Sequence, residues 1–321
     1  MKINILINDG LSNAGKQKLL DYNFHIIDQN VKQNELIEFI NKNNISVVLV
    51  RSATQIKKDI IDACSSLKLI GRGGVGMDNI DVKYAQSKKI DVINTPSASS
   101  QSVAELVFAH LFSMARYTFH SNRTMPLEGE TAFKKLKKTY SNGTELRNKT
   151  IGIIGFGRIG TEVAKIAIGI GMNVLFFDPF IKTKEIELVF FNRKKIVIEL
   201  KCEKLEKIIT SSDVITVHIP KQKKALIGKK ELNKMKKGVF LINTSRGGII
   251  NEEDLIDALN NQQVHSAGLD VFENEPKPSI KILMQDHISL SPHIGASTIE
   301  AQERIGIELA EQINNKFNGK N

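Results

Sequence analysis

Arg246, Glu275 and His293 are the residues of this chain whose types could together move a proton beside a bound carboxylate. They fall in three short segments, NTSRGG (Asn243 to Gly248), LDVFENEP (Leu269 to Pro276) and SPHIGAS (Ser291 to Ser297). An arginine presents a planar fork of donors that grips a carboxylate and polarises a carbonyl next to it. A histidine gives a proton to a carbonyl oxygen or takes one from a hydroxyl. A carboxylate on its far ring nitrogen fixes the tautomer and stabilises the imidazolium, and Glu275 is the candidate. These are the groups that hydride transfer at C2 of a small 2-oxo or 2-hydroxy acid requires. Singly, each has a bland reading: a surface ion pair for Arg246, a turn before Pro276 for Glu275, a helix cap before Ile294 for His293.

A second signature lies upstream. Gly155, Gly157 and Gly160 form GxGxxG directly after the apolar run Thr150 to Ile154 and at the head of the helical pattern Arg158 to Ile170. The first glycine makes a tight turn, the second lets backbone amides approach a pyrophosphate, and the third lets helix and strand pack closely. Asp178 stands eighteen positions beyond Gly160, at the end of the next strand pattern. A carboxylate there bonds the adenosine ribose hydroxyls and repels a 2′-phosphate, so NAD is expected rather than NADP. The bland alternative is a glycine-rich turn in an ordinary α/β sheet.

Elements must hold these groups at the C-terminal ends of strands, where open α/β sheets bind ligands. Short apolar runs alternate with amphipathic stretches: Ile3 to Ile7, His25 to Ile27, Val47 to Val50, Leu69 to Ile70 and Val92 to Ile93. That alternation predicts βαβ units and a parallel sheet. A long helix is expected to begin near Ser99 to Glu105, where Ser102 and Glu105 are spaced as in a capping box, and to run to about Arg116. Residues 118–149 read as irregular structure with a short helix. A second doubly wound sheet is predicted from Thr150 to Ile154, Asn173 to Phe177, Val214 to His218, Val239 to Asn243, His265 to Leu269 and Ile288 to Ser291. Val189 to Phe191 with Ile196 to Leu200 predicts a small hairpin, and Thr298 to Phe317 an amphipathic helix packed on the first domain.

At 321 residues, 41% of them apolar and 25% charged, the chain has a globular composition and suits two domains. Its net charge of +10 could suit a nucleic acid, but lysine is scattered and no basic cluster is flanked by aromatic rings that would stack on bases. No nucleic-acid partner is expected. Cys64 and Cys202 form no CxxC or metal-ligand grouping, which fits a reducing compartment and no structural metal. The apolar stretch before Asp9 and Gly10 is too short for a signal peptide or a membrane span, so a soluble cytoplasmic protein without a membrane partner is expected.

Together, VRSAT (Val50 to Thr54), GRGGVGMDN (Gly71 to Asn79), NTPSASSQSVAEL (Asn94 to Leu106), the glycine loop and the three later segments resemble the D-isomer-specific 2-hydroxy-acid dehydrogenase family, in particular its phosphoglycerate-oxidising branch. The resemblance spans nearly the whole chain. It implies a Rossmann NAD domain, residues 99–294, inserted into a flavodoxin-like substrate domain, residues 1–98 with 295–321. It also implies that Arg246, Glu275 and His293 carry the roles above. Arg158 and Ile159 would lie at the pyrophosphate, Thr244, Asp270 and Ile219 along the cofactor. Gly73, Gly74 and Val75 would turn amides to the substrate carboxylate, and Arg51 would meet a substrate phosphate. At Ile219, Thr244 and Val75 the family carries other side chains, so backbone contacts are what carries over. Lys137 and Lys138 match only loosely a basic segment that reaches a neighbouring subunit, and a homodimer through the cofactor domains is implied. The stretch from Asp178 to Asp213 is longer than the family's. No regulatory domain, and hence no feedback by serine, is expected before Asn321.

Three activities share this machinery: oxidation of D-3-phosphoglycerate, reduction of glyoxylate or hydroxypyruvate, and NAD sensing by a binding protein like the corepressors that resemble these enzymes. A formate dehydrogenase is disfavoured because those relatives pair the histidine with an amide. The resemblance further suggests that NAD binds first and that the domains then close on the substrate, excluding water.

Overall fold

The computed structural model describes residues 3–319, so the outermost residues of the expected substrate domain, 1–2 and 320–321, lie outside the description. The chain divides into two compact units, one running to Ser102 and resuming at Ala296, the other Val103–Gly295.

In the first unit β1 (Asn4–Ile7), α1 (Asn13–Asp21), β2 (His25–Asp28), α2 (Leu36–Lys42), β3 (Val47–Val50), α3 (Lys58–Ala63), β4 (Leu69–Arg72), α4 (Val82–Ser87) and β5 (Asp91–Asn94) alternate. The five strands run parallel in the order β2-β1-β3-β4-β5. This is the flavodoxin-like doubly wound order. Helices on both faces explain the unbroken apolar run of β3, whose four residues are all buried. Leu36 and Ile40, one turn apart on α2, fill the core against Val48 and Ile60.

The second unit takes up α5 (Ser100–Ala115), α6 (Thr118–Thr139), β6 (Thr150–Ile154), α7 (Arg158–Gly169), β7 (Asn173–Phe177), β8 (Thr183–Val189), β9 (Lys195–Lys201), α8 (Leu205–Ser211), β10 (Val214–Val217), α9 (Lys229–Lys234), β11 (Val239–Asn243), α10 (Glu252–Asn260), β12 (Val264–Leu269), α11 (Ile280–Leu283) and β13 (Ile288–Leu290). Its six-stranded sheet has the order β13-β12-β11-β10-β6-β7. Beyond the β7 edge, Phe176 makes a single parallel bridge to Cys202, where a Rossmann sheet places its third strand. The chain spends that third strand on an antiparallel hairpin, β8 with β9, longer than the alternation at Val189 and Ile196 suggests. Ile186 anchors the hairpin in the core while Phe191 at its turn is fully exposed.

Two expectations are overturned. Ser102 and Glu105 form no capping box, because α5 already begins at Ser100 and the Ser102 hydroxyl bonds Thr298 Oγ1 at 2.8 Å. Residues 118–139 are helical in two stretches joined by a kink at Ala132, whose φ of −122° and ψ of 19° leave the helical region, with Pro126 inside the first. Only Leu136 of α6 is buried, so no apolar period marked it. Its glutamates, lysines and leucines are strong helix formers that outweigh one proline and one glycine. Lys137 and Lys138 occupy its last turn, where cations oppose the helix dipole.

The last helix, α12 (Ile299–Phe317), returns to the first unit, capped by Thr298 through the Ala301 amide. It packs on α1 so closely that a Cβ at Gly15 would lie 2.6 Å from Gly306 Cα. No helix among the described residues is long and apolar enough to cross a membrane.

Candidate active site

His293 Nδ1 lies 2.7 Å from Glu275 Oε2, so the structure joins the acid-base candidates across eighteen residues of chain. Glu275 Oε1 accepts the Phe272 amide at 2.9 Å, which aims the carboxylate. Burial pushes the Glu275 carboxyl up. The hydrogen bonds from His293 and the Phe272 amide, with the charges of His293 and Arg246, outweigh burial and hold it below its ordinary value. An ionised Glu275 can only accept, which puts the proton on Nδ1 and leaves Nε2 of the neutral ring as a base facing away from the pair.

His293 itself has a left-handed backbone, φ 55°. The turn is held from beneath by Asp270, which is fully buried. Asp270 Oδ1 accepts Ser291 Oγ at 2.6 Å and the Ile294 amide at 2.8 Å, and Oδ2 accepts the Gly295 amide at 2.9 Å. Asp270, expected along the cofactor, is thus also what shapes the histidine loop.

Arg246 follows the C-terminal end of β11, and its Nη1 donates to Ser245 O at 2.7 Å. Asn243, quoted in the sequence reading but given no role there, shapes this turn. Its Nδ2 donates to Arg246 O at 2.8 Å, and its Oδ1 accepts the Ser245 amide and hydroxyl at 3.0 and 2.8 Å. The signal was available, since an asparagine at a strand end commonly ties its own turn. Between them, Thr244 Oγ1 is buried with no hydrogen-bond partner, a group that a ligand would satisfy.

The glycine loop is built to receive an anion. Gly157 is the N-cap of α7 and offers no side chain, and a Cβ there would meet nothing within 4 Å. Beyond Phe156, the first amide with an acceptor is that of Thr161, bonded to Gly157 O. Among the described residues the amides of Gly157, Arg158, Ile159 and Gly160 therefore have none, and they open a helix whose dipole is positive at this end. A Cβ at Gly160 would collide with Gly155 O, and one at Gly155 would come 2.8 Å from Ile219 Cγ2, so both glycines are required by close packing. Asp178 closes the loop by accepting the Phe156 and Phe180 amides at 2.8 and 2.9 Å. Free amides, an open Gly157 and the buried Thr244 hydroxyl together fit NAD.

The residues expected to meet the substrate lie in the first unit, at the ends of β3 and β4. Arg51 is held through its backbone: its amide donates to Asp9 at 2.7 Å and its carbonyl accepts Asn79 at 2.9 Å. No protein group among the described residues bonds its guanidinium. The Gly73 amide donates to Val50 O at 2.9 Å, so the expectation of three free amides narrows to those of Gly74 and Val75. Gly74 has φ 139°, and a Cβ there would strike the Arg72 guanidinium. Arg72, the second residue of GRGGVG, is a cation beside this loop that the sequence reading passed over.

Residues 108–295 match the family model described as D-isomer specific 2-hydroxyacid dehydrogenase, NAD binding domain. The chain is 39% identical over 313 residues to a hydroxypyruvate reductase of Thermotoga maritima, with 96% of each covered. It is 38% identical over 314 residues to D-3-phosphoglycerate dehydrogenase of Bacillus subtilis, covering 96% of this chain and 56% of that one. The chain thus spans little more than half the length of that relative. It also resembles the solved NAD+-bound 3-phosphoglycerate dehydrogenase of Entamoeba histolytica, with TM-score 0.78, 28% identity, and 100% and 97% of the two chains covered.

Proposed function

Because the chain belongs to the D-isomer specific 2-hydroxyacid dehydrogenase family and is an NAD-dependent oxidoreductase of that kind, we propose that it oxidises D-3-phosphoglycerate to 3-phosphohydroxypyruvate. The observation that carries the chemistry is the 2.7 Å pair of His293 and Glu275. In this reading His293 Nε2 takes the hydroxyl proton at C2 while Glu275 stabilises the ring as it becomes positive. Arg246 holds the substrate carboxylate and the developing carbonyl oxygen. NAD, when bound, accepts the hydride leaving C2. The amides from Gly157 to Gly160 hold its pyrophosphate, and Asp178 its ribose. Arg51, whose guanidinium no protein group engages, meets the phosphate, and the amides of Gly74 and Val75 meet the carboxylate. A cytoplasmic homodimer joined through the cofactor units completes the reading, supported by the family resemblance.

A second reading, reduction of hydroxypyruvate or glyoxylate by the same groups, is favoured by the Thermotoga maritima relative, which matches over 96% of both chains. The deciding assay is NADH formation with D-3-phosphoglycerate, D-glycerate and D-lactate, beside NADH consumption with hydroxypyruvate and glyoxylate. Turnover of the phosphorylated acid, lost in Arg51→Ala, supports the first reading. Turnover of unphosphorylated acids alone replaces it with the second.

Asp178→Ala is expected to weaken NAD binding about 10- to 10²-fold, the loss of one or two hydrogen bonds to a charged group. The turnover at saturating NAD should change little, and fluorescence titration with kcat measurement checks both. For Glu275→Gln, the ring loses the carboxylate that stabilises it as it becomes positive, so kcat for oxidation should fall. An unchanged kcat removes Glu275 from the pair. The lowered Glu275 value also has a stability consequence: its contribution is present above the ordinary carboxylate range and is lost as pH falls through the folded value.

A further inference from the structure

One buried histidine is left unused by the chemistry above. His110 lies in the middle of α5 among apolar residues, 4% exposed, against Gly268 of β12. Its Nδ1 is 2.8 Å from Ser289 Oγ and its Nε2 is 2.9 Å from Ser291 Oγ. Ser291 in turn donates to Asp270, whose two oxygens hold the amides of Ile294 and Gly295. We propose that His110 is a positioning residue for His293, acting through the chain Ser289, His110, Ser291, Asp270 and the two loop amides.

The direction of every bond in this chain follows from hydrogen counting. Asp270 as a carboxylate can only accept, so the single Ser291 proton points to it. Ser291 must then accept from His110, which makes Nε2 the protonated nitrogen, and Nδ1 accepts the Ser289 hydroxyl. A neutral ring with one donor and one acceptor satisfies this arrangement. Burial pushes His110 down, only partly opposed by the Asp270 charge, and so favours that neutral form. The Asp270 carboxylate is the charge that acts on the ring. Ser291 is thereby fixed in one rotamer, which sets where Asp270 sits and so where the left-handed turn at His293 begins. Buried networks of this kind, fully satisfied, rigidify what they touch.

The inference rests on His293 as proton carrier, and two sets of variants separate the two claims. His110→Leu keeps the volume and breaks the chain, Ser291→Ala breaks it with a smaller change, and His110→Gln restores one donor and one acceptor at the spacing of the ring nitrogens. His110→Leu and Ser291→Ala should each lower kcat about 10- to 10²-fold, the effect of a small displacement of a reacting group, with NAD affinity unchanged. The double variant should lose no more than either single one, because they remove the same chain. His110→Gln should regain most of kcat, and ¹⁵N spectra of the wild-type enzyme should show His110 neutral with the proton on Nε2. Wild-type kcat in both His110→Leu and Ser291→Ala, or a proton on Nδ1, overturns the proposal even if His293→Ala is inactive. Full turnover in His293→Ala instead overturns the assignment of the proton carrier beneath it.

Discussion

His293→Ala should lower kcat by about 10²- to 10⁴-fold, the range that a positioned general acid or base contributes. The substitution removes the ring that lies 2.7 Å from Glu275 and leaves the Phe272 amide still bonded to that carboxylate. NAD binding should be nearly intact, since the open amides at the head of α7 and the Asp178 carboxylate do not touch His293. The reaction equilibrium is a property of the substrates, so kcat/KM for oxidation and for reduction must fall together. Steady-state kinetics in both directions over pH, with NAD titrated by fluorescence, tests all of this, and retained turnover excludes His293 as proton carrier.

Arg246→Gln is expected to cost kcat/KM about 10²- to 10³-fold, the loss of a charged, two-pronged hydrogen bond worth roughly 2–5 kcal/mol. The loss should appear in kcat as well as KM, because the guanidinium acts on the carbonyl oxygen only as its charge develops. Arg246→Lys should recover little, since a point charge cannot reproduce the fork. Ser245 O accepts Nη1 at 2.7 Å, and Asn243 holds the Arg246 backbone carbonyl. Glutamine cannot stand in for that geometry. A loss confined to KM would mean that Arg246 binds substrate and transition state equally.

Much of the architecture was legible because parallel strands buried on both faces leave continuous apolar runs. Val47–Val50 and Val239–Asn243 read as strands from composition alone and are strands. The glycine loop was legible for a related reason: strand, GxGxxG and acidic residue occur at spacings set by one βαβ turn. Other features left no such trace. Helix α6 buries a single residue, so its pattern was invisible, and the capping-box spacing at Ser102 gave no sign that this hydroxyl bonds Thr298, almost two hundred residues away.

The site divides along the same line. Residue types and local spacing determined that the chain carries an arginine, a glutamate and a histidine at strand ends, together with a loop able to take a pyrophosphate. These follow from sequence because strand ends and tight turns are local. Tertiary structure alone decided that Glu275 meets Nδ1 of His293 and not its other nitrogen, and that the Gly73 amide is committed to Val50. It alone brought His110, Ser291 and Asp270 into one chain beneath the His293 loop. Such contacts join segments far apart in sequence, and their hydrogen-bond directions depend on a proton count that no single segment contains.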